Sequence, residues 1–321
     1  MRKSLSVSRD DMVSGRHLVK RFGRTRALDG LDLTIRAGEV HGFLGPNGAG
    51  KSTTIRAILG QLRLDGGDLR VFGADPRRDA VRVHDRLAYV PGDTALWPHL
   101  TGGECIDLLG RLGGHQNRAR RNDLVDRFDL DPTKRARTYS KGNRQKVALI
   151  AALSADVELL VLDEPTSGLD PLMEAEFQRA VREAAAAGRT VLLSSHILDE
   201  VEALCDRVTI IRAGRTVSTG TLDDLRANTR STIEVITAQP LPDILPGVSS
   251  GIGARTDEPH PHGVRTTVTV APAALAAAVA AIARQQPIGL AVRPPSLDEL
   301  FHQHYRKEPT HRAQPTPEPV A

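Results

Sequence analysis

Gly45-Pro46-Asn47-Gly48-Ala49-Gly50-Lys51-Ser52 fits the phosphate-loop pattern, with glycines at its first and sixth places and Lys-Ser at its end. Glycines let the backbone wrap so that successive N–H groups point at phosphate oxygens, and a helix starting at Lys51 adds its positive end. Lys51 would neutralise the β and γ phosphates of a nucleotide, and the Ser52 hydroxyl would ligate Mg²⁺. With Thr53, the stretch supplies the nucleotide-binding candidates Gly45, Pro46, Asn47, Gly48, Ala49, Gly50, Lys51, Ser52 and Thr53. Its surroundings suit the motif: residues 40–44 form a short, mostly apolar run, and 51–62 have helical spacing.

A phosphate loop alone implies only nucleotide binding, and the next element narrows the reading. Leu159-Leu160-Val161-Leu162-Asp163-Glu164 is an apolar strand that delivers two carboxylates at its carboxyl end, where ligands sit in open α/β sheets. Asp163 would hold the metal through water, and Glu164 would accept a proton from an attacking water. The bland alternative is the start of a solvated loop; beside Lys51 the catalytic reading outweighs it. Residues 159–162 and 190–193 are continuous apolar runs separated by a helical stretch over 171–187, which suits central strands of a parallel sheet covered by helices. Leu31, Leu33 and Ile35 alternate with polar residues as on a half-buried strand, residues 87–90 suggest another, and 208–218 read as a hairpin about Ala213-Gly214. Helical patterns lie around 104–112 and 121–128.

These motifs together resemble the nucleotide-binding subunits of ATP-binding-cassette (ABC) transporters, over roughly residues 15–225. Ser167-Gly168-Leu169-Asp170-Pro171 looks like the family's D-loop, so Asp170 joins the nucleotide-site candidates. Ser194-Ser195-His196 ends an apolar strand as the family's switch histidine does, and the resemblance gives His196 contact with the γ-phosphate. Tyr139-Ser140-Lys141-Gly142-Asn143-Arg144-Gln145 holds a divergent signature motif, in which Ser140 and Gly142 would meet the γ-phosphate held by a second subunit. Lys141 replaces a usual glycine, and either turns outward or adds a cation beside the nucleotide. Phe22 lies 23 residues before Gly45, where an aromatic of the family stacks on adenine; the alternative is a core phenylalanine. Relatives place Gln where this chain has Gly92, so that contact is lost, supplied by water, or taken over by Asp93. Trp97 lies in a segment resembling the surface that docks a membrane subunit, against the reading of a core tryptophan. Pro295-Ser296-Leu297-Asp298-Glu299-Leu300-Phe301 resembles the closing motif of daunorubicin-resistance-type exporter ATPases, and is also an ordinary capping box opening an amphipathic helix.

The expected fold is therefore α/β. A P-loop NTPase domain of the ABC ATPase type, with a mixed sheet core and a helical subdomain at about 93–156, spans 14–227. A small C-terminal α+β domain spans 228–306, with strands at 232–236 and 264–270 joined by a Pro/Gly/Ser-rich connection, a helix over 272–284 and another over 296–305. Residues 1–13 and the proline-rich 307–321 read as disordered tails. No apolar run approaches the roughly 20 residues that cross a bilayer, and the polar start is no signal peptide, so the chain is expected at the cytoplasmic face of a membrane. Its 43 Lys and Arg against 39 Asp and Glu argue only weakly for nucleic acid, which is not expected as a partner. Only Cys105 and Cys205 are present, which excludes a disulfide scaffold. The resemblance implies ATP and Mg²⁺, a homodimer on ATP binding, and a separate polytopic membrane permease. The closing motif favours export over import. The contrasting hypotheses are a soluble ABC ATPase and a nucleotide-dependent regulator.

Overall fold

The computed structural model describes residues 11–112, 116–227, 230–242 and 250–293. The chain divides into two compact units between Leu222 and Asp223. In the first, strands β1 (Asp11–Phe22) and β2 (Thr25–Arg36) form a hairpin, followed by β3 (Val40–Leu44), helix α1 (Lys51–Ile58) and β4 (Gly66–Val71). Short α2 (Ala80–His84) and β5 (Leu87–Val90) lead to the helices α3 (Gly102–Leu112), α4 (Arg118–Arg127) and α5 (Lys141–Leu153). The chain returns through β6 (Leu159–Asp163), α6 (Pro171–Ala186), β7 (Thr190–Ser195), α7 (Leu198–Leu204), β8 (Arg207–Arg212) and β9 (Arg215–Thr221), and α8 (Leu222–Ala227) leads into the second unit.

Two sheets result. β2-β1-β4 is antiparallel, and β5-β6-β7-β3-β8-β9 is parallel except where β9 returns against β8. The mixed sheet, the helical subdomain and the second unit's antiparallel sheet are the fold class expected from the sequence. Every residue of β3, β6 and β7 is buried, as strands covered on both faces must be. Ile55 and Ile58 of α1 pack in one core with Leu31, Leu33 and Ile35 of β2 and with Phe43, Leu159, Val161 and Leu192 of the parallel sheet. Each fully buried aliphatic side chain there contributes about 1.5–3 kcal/mol relative to exposure. The helix that opens at the phosphate loop is thereby fixed along its inner face.

Three differences from the sequence reading have local causes. β1 takes in Asp11–Val13, which the reading left in the tail; Val13 is buried because it pairs with Ile35 and Val71, partners distant in sequence. Helix α1 stops at Ile58 rather than 62, since the Gly60 N–H turns back to the Ala57 carbonyl at 2.9 Å. In the second unit, the Pro/Gly/Ser-rich connection contains an edge strand. Its sheet orders β10 (Ser231–Thr237), β11 (Ile252–His260), β12 (Gly263–Val270) and, after helix α9 (Pro272–Ala283), β13 (Gly289–Arg293) as β11-β12-β10-β13. Ala278, Ala281 and Ile282 of α9 share one face and pack on Ile233, Val235, Val268 and Val270. The 296–305 helix, the 295–301 motif and the tail beyond 307 lie outside the described residues.

Candidate functional site

Parallel pairing sends β3, β6 and β7 out of the sheet at the same edge, so their carboxyl ends converge. The loop after β3 is held close. A Cβ at Gly45 would lie 2.7 Å from the Ile211 carbonyl, and one at Gly50, whose φ is +113°, would lie 2.9 Å from that of Ala27. Only glycine fits at either place. The Lys51 side chain is 5% exposed, and its ammonium donates to the carbonyls of Gly45 at 2.6 Å and Pro46 at 3.4 Å. A cation held by its own loop at a helix N-terminus makes a place for a polyanion. Ser52 is exposed and Thr53 half-buried on the same turn. The loop, Ala27, Ser52, Thr53 and Glu164 line a cavity of about 150 Å³. A larger cavity of about 350 Å³, with Asp107, Arg111 and Arg121, includes none of these residues.

The carboxylates differ in setting. Asp163 is buried and accepts the Ser194 hydroxyl at 2.5 Å. Glu164 is half-buried, and its Oε1 lies 3.3 Å from Lys51 Nζ and 3.4 Å from His196 Nδ1. The structure thus brings Lys51, Glu164 and His196 to one point, with the His196 side chain half exposed. Glu164 has φ +46°, a left-handed conformation that costs a non-glycine residue about 1–2 kcal/mol. Its N–H is held against the Ser194 carbonyl at 3.1 Å and the Ser194 hydroxyl at 3.2 Å. Burial, with the charge of Asp163 behind it, pushes the Tyr89 phenol up to about 12, so this neighbour stays neutral.

Ser140, Gly142 and Asp170 do not line the loop cavity. Ser140 caps α5 and accepts the Asn143 N–H at 3.2 Å; Asp170 caps α6 and accepts the Met173 N–H at 3.0 Å. The two caps lie on adjoining segments, because a Cβ at Gly142 would sit 2.5 Å from the Gly168 carbonyl. Lys141 donates to the Ser167 hydroxyl at 2.8 Å, so its charge is turned onto segment 167–170. Phe22 is 51% exposed and Trp97 43%, so neither is a core residue; Lys20 Nζ lies 5.3 Å from the Phe22 ring centre. Position 92 abuts the turn at 163–164: a Cβ there would lie 3.1 Å from the Asp163 backbone carbonyl and 3.6 Å from Glu164 Cβ. Asp93 is exposed.

Sequence reasoning missed two buried groups behind the site. Glu200 accepts the Ser195 hydroxyl at 2.6 Å beneath the His196 turn, and burial raises its carboxyl above the usual range although that hydroxyl opposes the shift. Its spacing of four from His196, across a helix start, was the available signal. Gln145, 1% exposed on α5, closes the stretch 139–145 that holds the divergent signature, but the sequence assigns it no role.

The family model for ABC transporters matches residues 28–167. The daunorubicin resistance ATP-binding protein DrrA3 of Streptomyces coeruleorubidus is 45% identical over 215 residues, 65% of this chain and 68% of that protein. DrrA2 of the same organism, also a daunorubicin resistance ATP-binding protein, is 36% identical over 297 residues, 88% of this chain and 91% of the relative. The solved ATP-binding subunit of an ABC transporter superposes with TM-score 0.63 at 31% identity, over 67% of this chain and 92% of that one.

Proposed function

Because the chain belongs to the ATP-binding subunits of ABC transporters and hydrolyses ATP to drive transport, we propose that it powers export of a drug, antibiotic or lipid-like molecule through a separate polytopic membrane permease. The observation that carries the proposal is the meeting of Lys51, Glu164 and His196 over the phosphate loop. The names of the daunorubicin resistance relatives support the exporter class.

The loop N–H groups and Lys51 hold the β and γ phosphates, the ammonium exchanging its carbonyl partners for phosphate oxygens. Glu164, aimed by its left-handed backbone, accepts a proton from water as the water oxygen bonds to the γ-phosphorus and the bond from phosphorus to the β,γ-bridging oxygen breaks. His196, beside the same carboxylate, orients that water and the γ-phosphate. Ser52 and Asp163 are hard oxygen donors that suit Mg²⁺, which when bound neutralises charge on the phosphates. Gly92 adds no ligand to this set. Phe22 offers an exposed ring to adenine.

Ser140, Gly142 and Asp170 stand apart from the loop within one chain and serve the nucleotide bound by a second copy, so the ATP-bound state is a homodimer closed across two nucleotides. The N-terminus of α5 then faces phosphate, and hydrolysis removes part of the interface. The unit that ends at Leu222 serves as the ATPase domain, with the helical subdomain at about 93–156, and the unit from Asp223 as an accessory domain. Among the described residues no helix is long and apolar enough to cross a membrane. As for the family, the place of work proposed here is the cytoplasmic face, through the permease, with Trp97 in the docking surface. Purification of the chain from its native membranes in mild detergent tests this. A stoichiometric polytopic protein is expected, and recovery with ribosomes alone, or with nothing, would overturn the exporter reading.

A further inference from the structure

Gln145 lies in the second turn of α5, and its amide is enclosed by two segments, 91–94 and the turn at Pro165. Its Oε1 accepts the Thr94 hydroxyl at 2.7 Å, and its Nε2 donates to the carbonyls of Pro165 at 3.1 Å and Pro91 at 3.3 Å. Both amide hydrogens and the amide oxygen are thus engaged away from water. Reversing the amide would set its oxygen against two carbonyl oxygens, so one orientation is fixed. Glutamate at this position would place a carboxylate there, and an apolar residue would leave the Thr94 hydroxyl and the carbonyls without this partner.

The position of these partners gives the bonds a consequence. Pro165 follows Glu164, the residue with φ +46°, and a left-handed backbone persists only where its surroundings hold it. Ser194 holds the N–H side of Glu164, and Gln145 holds the carbonyl of the next residue. Pro91 and Thr94 bracket Gly92, the position that abuts the turn at 163–164 without a side chain. The helix that supplies Gln145 also supplies Ser140 and Gly142 at its start.

We propose that Gln145 is a positioning residue for hydrolysis, its amide locking the turn that carries Glu164 to segment 91–94 and to the first turns of α5. Gln145 is not among the residues that line the loop cavity. Displacement of segment 91–94 or of α5 moves the base through this amide, so both gate the chemical step. The inference rests on Glu164 being the base.

The test compares Gln145→Met, which keeps the volume and removes every bond, with Thr94→Val, which removes the hydroxyl that donates to Gln145 at 2.7 Å and reaches the Pro91 carbonyl at 3.5 Å, in the full-length chain. Steady-state ATP hydrolysis is measured per active site, counted by titration with a fluorescent ATP analogue, alongside the melting temperature. Gln145→Met should lower kcat at least about tenfold, and Thr94→Val about threefold, with KM and analogue affinity within about twofold. Equal kcat per active site, or a fall in kcat matched by an equal loss of affinity, overturns the inference. If Gln145→Met does not fold, the Thr94→Val result decides it alone. Glu164→Gln is run in parallel: if that variant still turns over, the base assignment has failed; if it is inactive while Gln145→Met is normal, only the inference has.

Discussion

Replacing Arg127 with Met should destabilise the first unit by about 2–4 kcal/mol. Arg127 leaves α4 and reaches α6, where its Nε lies 2.5 Å from Glu176 and its two Nη atoms lie 2.8 and 3.0 Å from Glu183. A third carboxylate, Asp123, is 3.1 Å away on its own helix. The weights differ with burial. The Glu176 side chain is 9% exposed, whereas those of Glu183 and Asp123 are more than half exposed. Breaking a buried pair by removing one partner costs about 3–5 kcal/mol, because an uncompensated charge stays buried. Arg179, at 3.2 Å from Glu176 but 65% exposed, returns about 1 kcal/mol of that, and the exposed pairs add little. For a unit of this size about 2–4 °C of melting temperature accompany each kcal/mol, giving a fall of roughly 5–15 °C. Thermal and urea unfolding of Arg127→Met, Glu176→Leu and the double variant measure it. The double variant should recover more than half of the loss, since no buried charge is then stranded. A loss below about 0.5 kcal/mol for Arg127→Met would refute the reasoning, since it would place the network among ordinary surface pairs.

Three further outcomes follow from the same geometry. Gly45→Ala drives a methyl group to 2.7 Å from the Ile211 carbonyl, so calorimetric titration should show ATP affinity at least about tenfold weaker while the fold is retained. Phe22→Ala removes an exposed ring and should weaken ATP by about 1–2 kcal/mol, roughly tenfold, with little change in melting temperature. Glu200 has a folded-state pKa raised above its ordinary 4.5 by burial, so its stabilising contribution is complete below that value and is lost as pH rises through the folded one. Glu200→Gln cannot titrate, so its melting temperature should gain on that of the parent chain as pH rises from 4.5 towards neutrality; a constant difference would contradict this.

The phosphate loop, the 163–164 carboxylates and the strand ending at His196 were legible because each places polar residues at the end of an apolar run, a contrast that needs no tertiary information. The buried pattern of Leu31, Leu33 and Ile35 was legible from its alternation with polar residues, which likewise needs no tertiary information. What escaped was held by partners far away in sequence. Asp11–Val13 has no period of its own and becomes strand only by pairing with β2 and β4. Ile252–His260 carries Gly, Pro and charges because an edge strand needs no alternation, and its pairing comes from β12. Gln145 binds two backbone carbonyls and a hydroxyl, and a carbonyl acceptor leaves no residue-type signature. Lys141 was legible as a departure from the family's pattern, but its direction, onto Ser167, was decided by the approach of 142 to 168.

The central claim is that Glu164 takes the proton from water beside a phosphate cradle that works without it. The most direct measurement pairs ATP binding with phosphate release in Glu164→Gln, which keeps the shape and removes the basic charge. Binding should be retained or tightened, phosphate release should fall at least about a hundredfold, and ATP-dependent dimers should accumulate. Phosphate release at the parent rate with binding intact would contradict the account.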